Sequence, residues 1–179
     1  MYILITILAI IVTIIVLILV VALFTKKDYS IQRDIVINRS TPEVFNYIKH
    51  LKNQDYYNKW VMKDPNMKKE FRGTDGTVGS VYAWDGNKQA GAGEQEIKSI
   101  VDNERIDIEI RFVRPFAAVS SGPFVTQALS ADQTKLTWGL SNTMKYPMNA
   151  MLLFMNMDQL LGKDLETSLI NLKNILENK

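Results

Sequence analysis

The chain has 179 residues, no cysteine, and a formal net charge of +2 from 21 Lys and Arg against 19 Asp and Glu. That length suits one domain of ordinary size plus an appended segment. The near balance of charge argues against a nucleic-acid surface, and the missing cysteines exclude disulfides, a thiolate nucleophile, cysteine metal sites and a lipidated-cysteine anchor.

Tyr2–Phe24 carries no charged residue, and eighteen of its positions are Ile, Leu, Val or Phe. At about 1.5 Å per residue it reaches roughly 34 Å, enough to cross a hydrocarbon core. It lacks the positive leading region and the small-residue cleavage site of a signal peptide, so residues 1–27 read as an uncleaved transmembrane anchor. Lys26 and Lys27, with Asp28 behind them, are the only close flanking charges. The positive-inside tendency then favours residues 28–179, the expected second unit, on the cytoplasmic face of the membrane, with an outward-facing domain as the alternative.

Residues 30–38 alternate, with Ile31, Ile35 and Ile37 opposite Gln32, Asp34 and Asn38, which predicts a first strand. A helix follows: either Thr41 caps it with Pro42 at the first helical position, or Ser40 and Glu43 make a capping box. Val44, Phe45, Ile48 and Leu51 form its buried stripe. The sole histidine, His50, falls off that stripe and reads as a solvated helix residue rather than a catalytic base. Tyr56, Tyr57 and Trp60 recur at helical spacing and predict a second short helix over 52–60. Around the turn signal Asp64, Pro65, Asn66, the residues Lys63, Lys68 and Lys69 read as solvated surface. Beside a membrane they acquire a second reading, as contacts to anionic headgroups.

From Met67 onward the period shifts to two. Strands are predicted from Phe71, over 78–84, 91–102, 106–112, 117–129 and 135–145, with turns at 73–76, 85–87 and 102–103. Gly122 and Pro123 interrupt the fifth of these as a bulge or edge bend. The last segment, 147–178, predicts one long helix whose apolar arc contains Met151, Phe154, Met155, Leu161, Leu165, Leu169, Leu172 and Leu176. Lys163, Thr167, Asn171 and Asn174 lie off that arc. Asp158 falls near the middle of the arc, and Gly162, one turn later, leaves volume beside it. A strand, two helices, six strands and a long helix have few compact arrangements. An apolar sheet face needs a cover, and the final helix is the element large enough. The expected class is α+β, a curved antiparallel sheet wrapped around a long C-terminal helix.

The order of elements, with the run Arg39, Ser40, Thr41, Pro42, Glu43, Val44, Phe45 after the first strand, resembles the START-related and polyketide-cyclase-like (SRPBCC) superfamily, the helix-grip fold. Residues 79–84 (Gly, Ser, Val, Tyr, Ala, Trp), residues 91–94 (Gly, Ala, Gly, Glu) and residues 162–166 with Leu172 and Lys173 resemble a membrane-anchored bacterial branch of it. The likeness covers residues 30–179. It implies an apolar cavity between the sheet and the C-terminal helix and a hydrophobic ligand, such as a lipid, sterol or polyketide; only some members are enzymes. These motifs are mostly structural and speak to the fold rather than to a reaction.

Residues that alternate inward on the strands, together with the helix stripe, give the candidate cavity lining: Tyr82, Trp84, Phe112, Trp138, Asn142, Met144, Met151, Met155 and Asp158. Each has the alternative of ordinary core packing. Asp158 would orient a ligand hydroxyl or act as an acid or base if buried alone; otherwise it forms an ion pair or hydrogen bond. Glu94 and Glu96 share a strand face as solvated carboxylates. Gly91, Ala92 and Gly93 lack the third glycine and the Lys of a phosphate loop, so tight strand geometry accounts for them. No metal-ligand spacing and no Ser-His-Asp arrangement is present, so no metal, cofactor or catalytic residue is expected. The sequence thus points to a membrane-tethered domain that binds a lipid-like or polyketide-like small molecule. The alternatives are a cyclase or hydratase-type enzyme using the same cavity and a partner-recruiting module.

Overall fold

The computed structural model describes residues 2–178. Met1 and Lys179, the outer ends of the expected anchor and domain, lie outside the described residues. The first element, α1 (Tyr2–Phe24), is an apolar helix of 23 residues with its side chains exposed nearly throughout and Ala22 buried. It is long and apolar enough to cross a membrane.

β1 (Asp28–Ile37) follows at once, and seven more strands come after the intervening helices: β2 (Lys68–Arg72), β3 (Val81–Asp85), β4 (Ala92–Val101), β5 (Arg105–Arg114), β6 (Ala118–Ser121), β7 (Phe124–Ser130) and β8 (Gln133–Thr143). All pairs are antiparallel, in the order β1-β8-β6-β5-β4-β3-β2, with β7 also lying between β5 and β8. Side chains alternate across such a sheet, so Ile31, Ile37, Ile97, Ile106, Ile108, Leu136, Trp138 and Leu140 are buried on one face. The intervening Glu94, Glu96, Glu109 and Arg111 meet in ion pairs on the other.

The sequence predicts a single strand over 117–129, whereas the structure has two. Pro123 has no N–H to give the ladder. Gly122 instead donates to the Ile108 carbonyl at 2.8 Å, and the Pro123 carbonyl accepts from Gly139 at 2.9 Å. Ser121 stands opposite Ser141 and, three residues on, Phe124 opposite Trp138, so the ladder is opened without a change of register.

Ser40 is the N-cap of α2 (Thr41–Ile48), and the Glu43 carboxylate accepts from the Ser40 backbone N–H at 3.2 Å and from its hydroxyl at 2.7 Å. Of the two helix starts open in the sequence, this is the capping-box one. The second helix is shorter than the predicted 52–60: a 3-10 turn (Leu51–Asn53), then α3 (Gln54–Tyr57) and a further 3-10 turn (Val61–Lys63). Gln54 and Gln95 exchange side-chain amide hydrogen bonds at 3.1 Å each way, and Asn58 adds one to Gln54 at 2.8 Å. All three are buried, and their mutual pairing removes the cost of unsatisfied amides.

The long final helix also begins later than predicted. A 3-10 turn (Met148–Leu153) precedes a break, and α4 (Met157–Glu177) starts where the Asn156 side chain accepts from the Gln159 N–H at 3.1 Å. Leu165, Leu169, Leu172 and Leu176 are buried against the sheet, but Phe154 is 71% exposed. The apolar periodicity over 147–156 belongs to a separate element that does not continue the axis of α4.

Three sets of polar contacts fix α4 in the concave sheet. At its far end, Glu177 accepts from the Asn38 N–H at 2.6 Å and Lys173 donates to the Val36 carbonyl at 2.6 Å. In the middle, Ser168 accepts the Lys59 N–H at 2.9 Å, and Asp164 pairs with Lys59 at 3.1 Å and Lys63 at 2.9 Å. Lys63 and Lys69, expected at the solvated surface, are thus taken up by ion pairs, Lys69 with Asp55 at 2.9 Å. At the near end, Arg33 points inward from β1 and grips Asp158 with both terminal guanidinium nitrogens, at 2.8 and 2.9 Å. It fills the space left by Gly162, where an added Cβ would fall 2.1 Å from Arg33 Nη2.

Two outcomes follow for stability. Burial pushes the Asp164 pKa up, but the Lys63 and Lys59 ammoniums outweigh it and hold the carboxyl below its ordinary value. Its stabilising contribution is therefore complete above the unfolded carboxylate range and disappears as pH falls through the lowered folded value. Asp164→Asn is expected to cost about 1 kcal/mol at neutral pH and less at acid pH, read from urea melts at several pH values. In an ordinary helix interior Gly→Ala gains about 1 kcal/mol. Gly162→Ala is expected to lose stability because it displaces Arg33, and the gain should reappear when Arg33→Ala is made in the same chain.

Candidate functional site

The strand registers define two ends of the sheet. Tyr29, Asn142, Ser120, Ile110, Gln95 and Tyr82 form one transverse row, and Trp84, Gly93, Phe112 and Ala118 the next. That second row lies toward the end of the sheet where β1 begins and where the Met144 N–H donates to the Lys27 carbonyl at 2.7 Å.

The nine residues singled out in the sequence fall into four places. Tyr82, Trp84 and Phe112 are inward and adjacent: Tyr82 is fully buried, Trp84 and Phe112 half-buried. Trp84 meets Phe112 edge-on with ring centroids 5.9 Å apart. An added Cβ at Gly93 would lie 2.9 Å from the Trp84 ring and 2.5 Å from the Arg111 carbonyl, so this glycine lets the indole lie flat across the strand toward Phe112. Trp138 sits deeper, 4% exposed, in contact with the rings of Tyr57, Trp60 and Phe124 at 6.1, 6.1 and 4.7 Å. Asn142, Met144, Met151 and Met155 are half-buried on β8 and on the segment after it, at the α1 end. Asp158 lies on the rim.

Asp158 does not occupy a buried arc, as the helical period predicts; its side chain is 60% exposed. The helix begins one residue earlier, at Met157, so Asp158 lies in its first turn, where Arg33 of β1 meets it. The Arg33 guanidinium hydrogen-bonded to Asp158 holds the carboxyl below its ordinary value, so near neutrality it is an ionised partner of Arg33 and no proton donor. Tyr82 is committed in a similar way. Burial first, and then the Asp55 carboxylate, push its pKa far upward, and its hydroxyl donates to Asp55 Oδ1 at 2.9 Å. Sequence reasoning missed Asp55 and Arg33. Arg33 was accessible, because it shares the inward parity of Ile31, Ile35 and Ile37 on β1.

Glu94 and Glu96 lie on the outer sheet face. Hydrogen bonds from Arg111 to Glu94, and from Lys98 and then Arg111 to Glu96, hold both below their ordinary values. His50 is half-exposed at the end of α2, 3.6 Å from Asp75, with its ring closed over by Gly76, where an added Cβ would lie 2.8 Å away.

Two of the clefts formed by the described residues stand out, and neither runs between the sheet and α4. One, of about 780 Å³, lies mainly on the outer face and is lined by Asp28, Ser30, Lys98, Asp107, Glu109 and Asn142 among others. Another, of about 370 Å³, lies between α2 and the end of α4, beside Tyr47, His50 and Leu176. Beneath α4 the space around Trp138 is occupied by aromatic rings and leucines. Half-buried apolar side chains remain on the sheet at Trp84, Ile110 and Phe112, and on the first turns of α4 at Met157 and Leu161.

No family model matches the chain, and no curated protein sequence matches it. Solved structures do. Norcoclaurine synthase from Thalictrum flavum, in complex with dopamine and hydroxybenzaldehyde, is 10% identical with a TM-score of 0.62, covering 89% of this chain and 92% of that one. The Mll3558 protein from Rhizobium loti is 17% identical with a TM-score of 0.59, covering 82% and 95%. The Aha1 dimer from Colwellia psychrerythraea is 16% identical with a TM-score of 0.58, covering 83% and 96%. At such identities the likeness is one of architecture: residues 28–178 adopt the helix-grip fold.

Proposed function

We propose that the chain is a membrane-tethered protein that binds a hydrophobic small molecule between the sheet and α4, at the end nearest α1. The observation that carries this reading is the Trp84–Phe112 pair, an aromatic surface on the inner face of the sheet that the fold leaves half-buried. Apolar surface lined by aromatic and Met side chains, with few polar groups, suits a lipid-like or polyketide-like guest. Tyr82, Met144, Met151 and Met155 border the same region, and Asp158 with Arg33 offers a charged rim to a polar head. In this reading α1 is the anchor, Lys26 and Lys27 hold the domain on the cytoplasmic face, and residues 28–179 form the binding unit. The norcoclaurine synthase structure, solved with two small aromatic molecules, supports guest binding on this architecture.

The test uses the chain without residues 1–27, so that bulk membrane lipid is not carried along by α1. A hydrophobic molecule is expected to co-purify and to be seen by native mass spectrometry. Trp84→Ala should weaken its affinity by about tenfold and so lower its occupancy, the effect of removing roughly 1.4 kcal/mol of aromatic contact. Purification of an empty domain whose melting temperature ignores added fatty acids, sterols and aromatic polyketides would refute the proposal.

A further inference from the structure

At the α1 end of the sheet the fold leaves an apolar rim in water. Met148 and Leu153 of the 3-10 turn, Tyr146 and Phe154 on either side of it, and Phe116 between β5 and β6 are all exposed, Phe154 by 71% and Phe116 by 60%. The registers bring both parts to one end, because Phe112 pairs with Ala118 across the turn that holds Phe116, and Thr143 at the end of β8 pairs with Asp28 at the start of β1. Exposed apolar surface of this kind marks a contact with something.

Asn149 indicates what that is. Its side chain is fully buried, and its amide donates to the Ala22 carbonyl at 2.6 Å and to the Thr25 carbonyl at 3.4 Å. Carbonyls in the last turn of a helix have no partner within the helix, so the 3-10 turn is the side-chain cap of α1. A helix of 23 residues is about 34 Å long against a hydrocarbon core of roughly 30 Å, which puts its last turn at the boundary between acyl chains and headgroups. The Asn149 bonds hold Met148 and Leu153 at that depth. Lys26, Lys27 and Lys145 are exposed just beyond, where anionic headgroups attract them, and Tyr is a residue type enriched at that level.

We infer that this rim is seated in the headgroup–acyl boundary of the bilayer that α1 spans. The domain is then embedded by its own surface as well as tethered, and the Trp84–Phe112 opening faces acyl chains instead of water. A guest passes between bilayer and protein without crossing the aqueous phase. This rests on the membrane-tethered reading above, and the experiment separates the two.

The chain has no cysteine, so single labels can be placed freely. Phe154→Cys, Val12→Cys and Asp132→Cys, each carrying an environment-sensitive fluorophore, are compared in the full chain reconstituted into phosphatidylcholine vesicles containing phosphatidylglycerol. Position 154 is expected to show blue-shifted emission, loss of quenching by aqueous iodide, and quenching by nitroxide lipids labelled near the headgroup. Position 12 should respond to nitroxides deep in the acyl region, and position 132, in the β7–β8 turn at the opposite end, to iodide alone. If position 154 is as open to iodide as 132 while 12 stays shielded, the seating is wrong and the tether stands; if 12 is also in water, both fail. Shielding of 154 only at high protein-to-lipid ratio would assign the rim to a second copy of the chain and likewise overturn the inference.

Discussion

Burial of one face of α4 is the constraint on which the other elements depend. Leu165, Leu169, Leu172 and Leu176 leave water together, and each such side chain contributes about 1.5–3 kcal/mol, so the four are comparable with the whole net stability of a domain, about 5–15 kcal/mol. A flat sheet cannot enclose a helix on both flanks. The sheet therefore curves, and the opened ladder at Gly122 and Pro123 is where the β5–β8 region parts to let it do so. Hydrophobic burial is not directional, so the register of the helix is set by polar contacts: Asn38 with Glu177, Lys59 and Lys63 with Asp164, Arg33 with Asp158. These fix which residue of α4 lies against which strand.

A second layer of polar pairing ties the short helices to the sheet. The Gln54–Gln95 amide exchange and the chain Tyr82, Asp55, Lys69 connect α3 to β4, β3 and β2. Buried amides that pair only with each other contribute little net stability, yet any other docking of α3 would leave them unsatisfied. They specify position more than they add strength. The same arrangement commits the Tyr82 hydroxyl to Asp55, so that on the proposed reading what is left for a guest is mainly shape and apolar surface.

Much of this was legible in the sequence. The leucine stripe over 165–176, the Ser40–Glu43 start of α2 and the alternation along β5 and β8 each obey a local period, and local periods survive folding. The misread parts are those where a period continued across a boundary. Met151, Phe154 and Met155 extend the helical spacing of α4, but Asn156 caps a new helix through Gln159, an Asn-x-x-Gln signal that the longer stripe concealed. Arg33 escaped notice because a charge at an inward position contradicts the apolar pattern around it. Only the pairing with Asp158 and the space above Gly162 make that placement sensible, and those residues are distant in the chain. The four-residue α3 was over-extended for the opposite reason: aromatic spacing over 56–60 mimics a helical turn that the structure replaces with an extended link at Asn58.

The aromatic cluster around Trp138 has a consequence for size. Tyr57, Trp60 and Phe124 close on that indole and form a floor part-way along α4, beyond which the interior is solid side chain. On the proposed reading, a molecule lying on Trp84 and Phe112 would meet that floor on one side. Short guests would then fit whole and long-chain guests would be gripped by one end with the remainder outside, so that discrimination would come from how far a chain reaches before it strikes an indole.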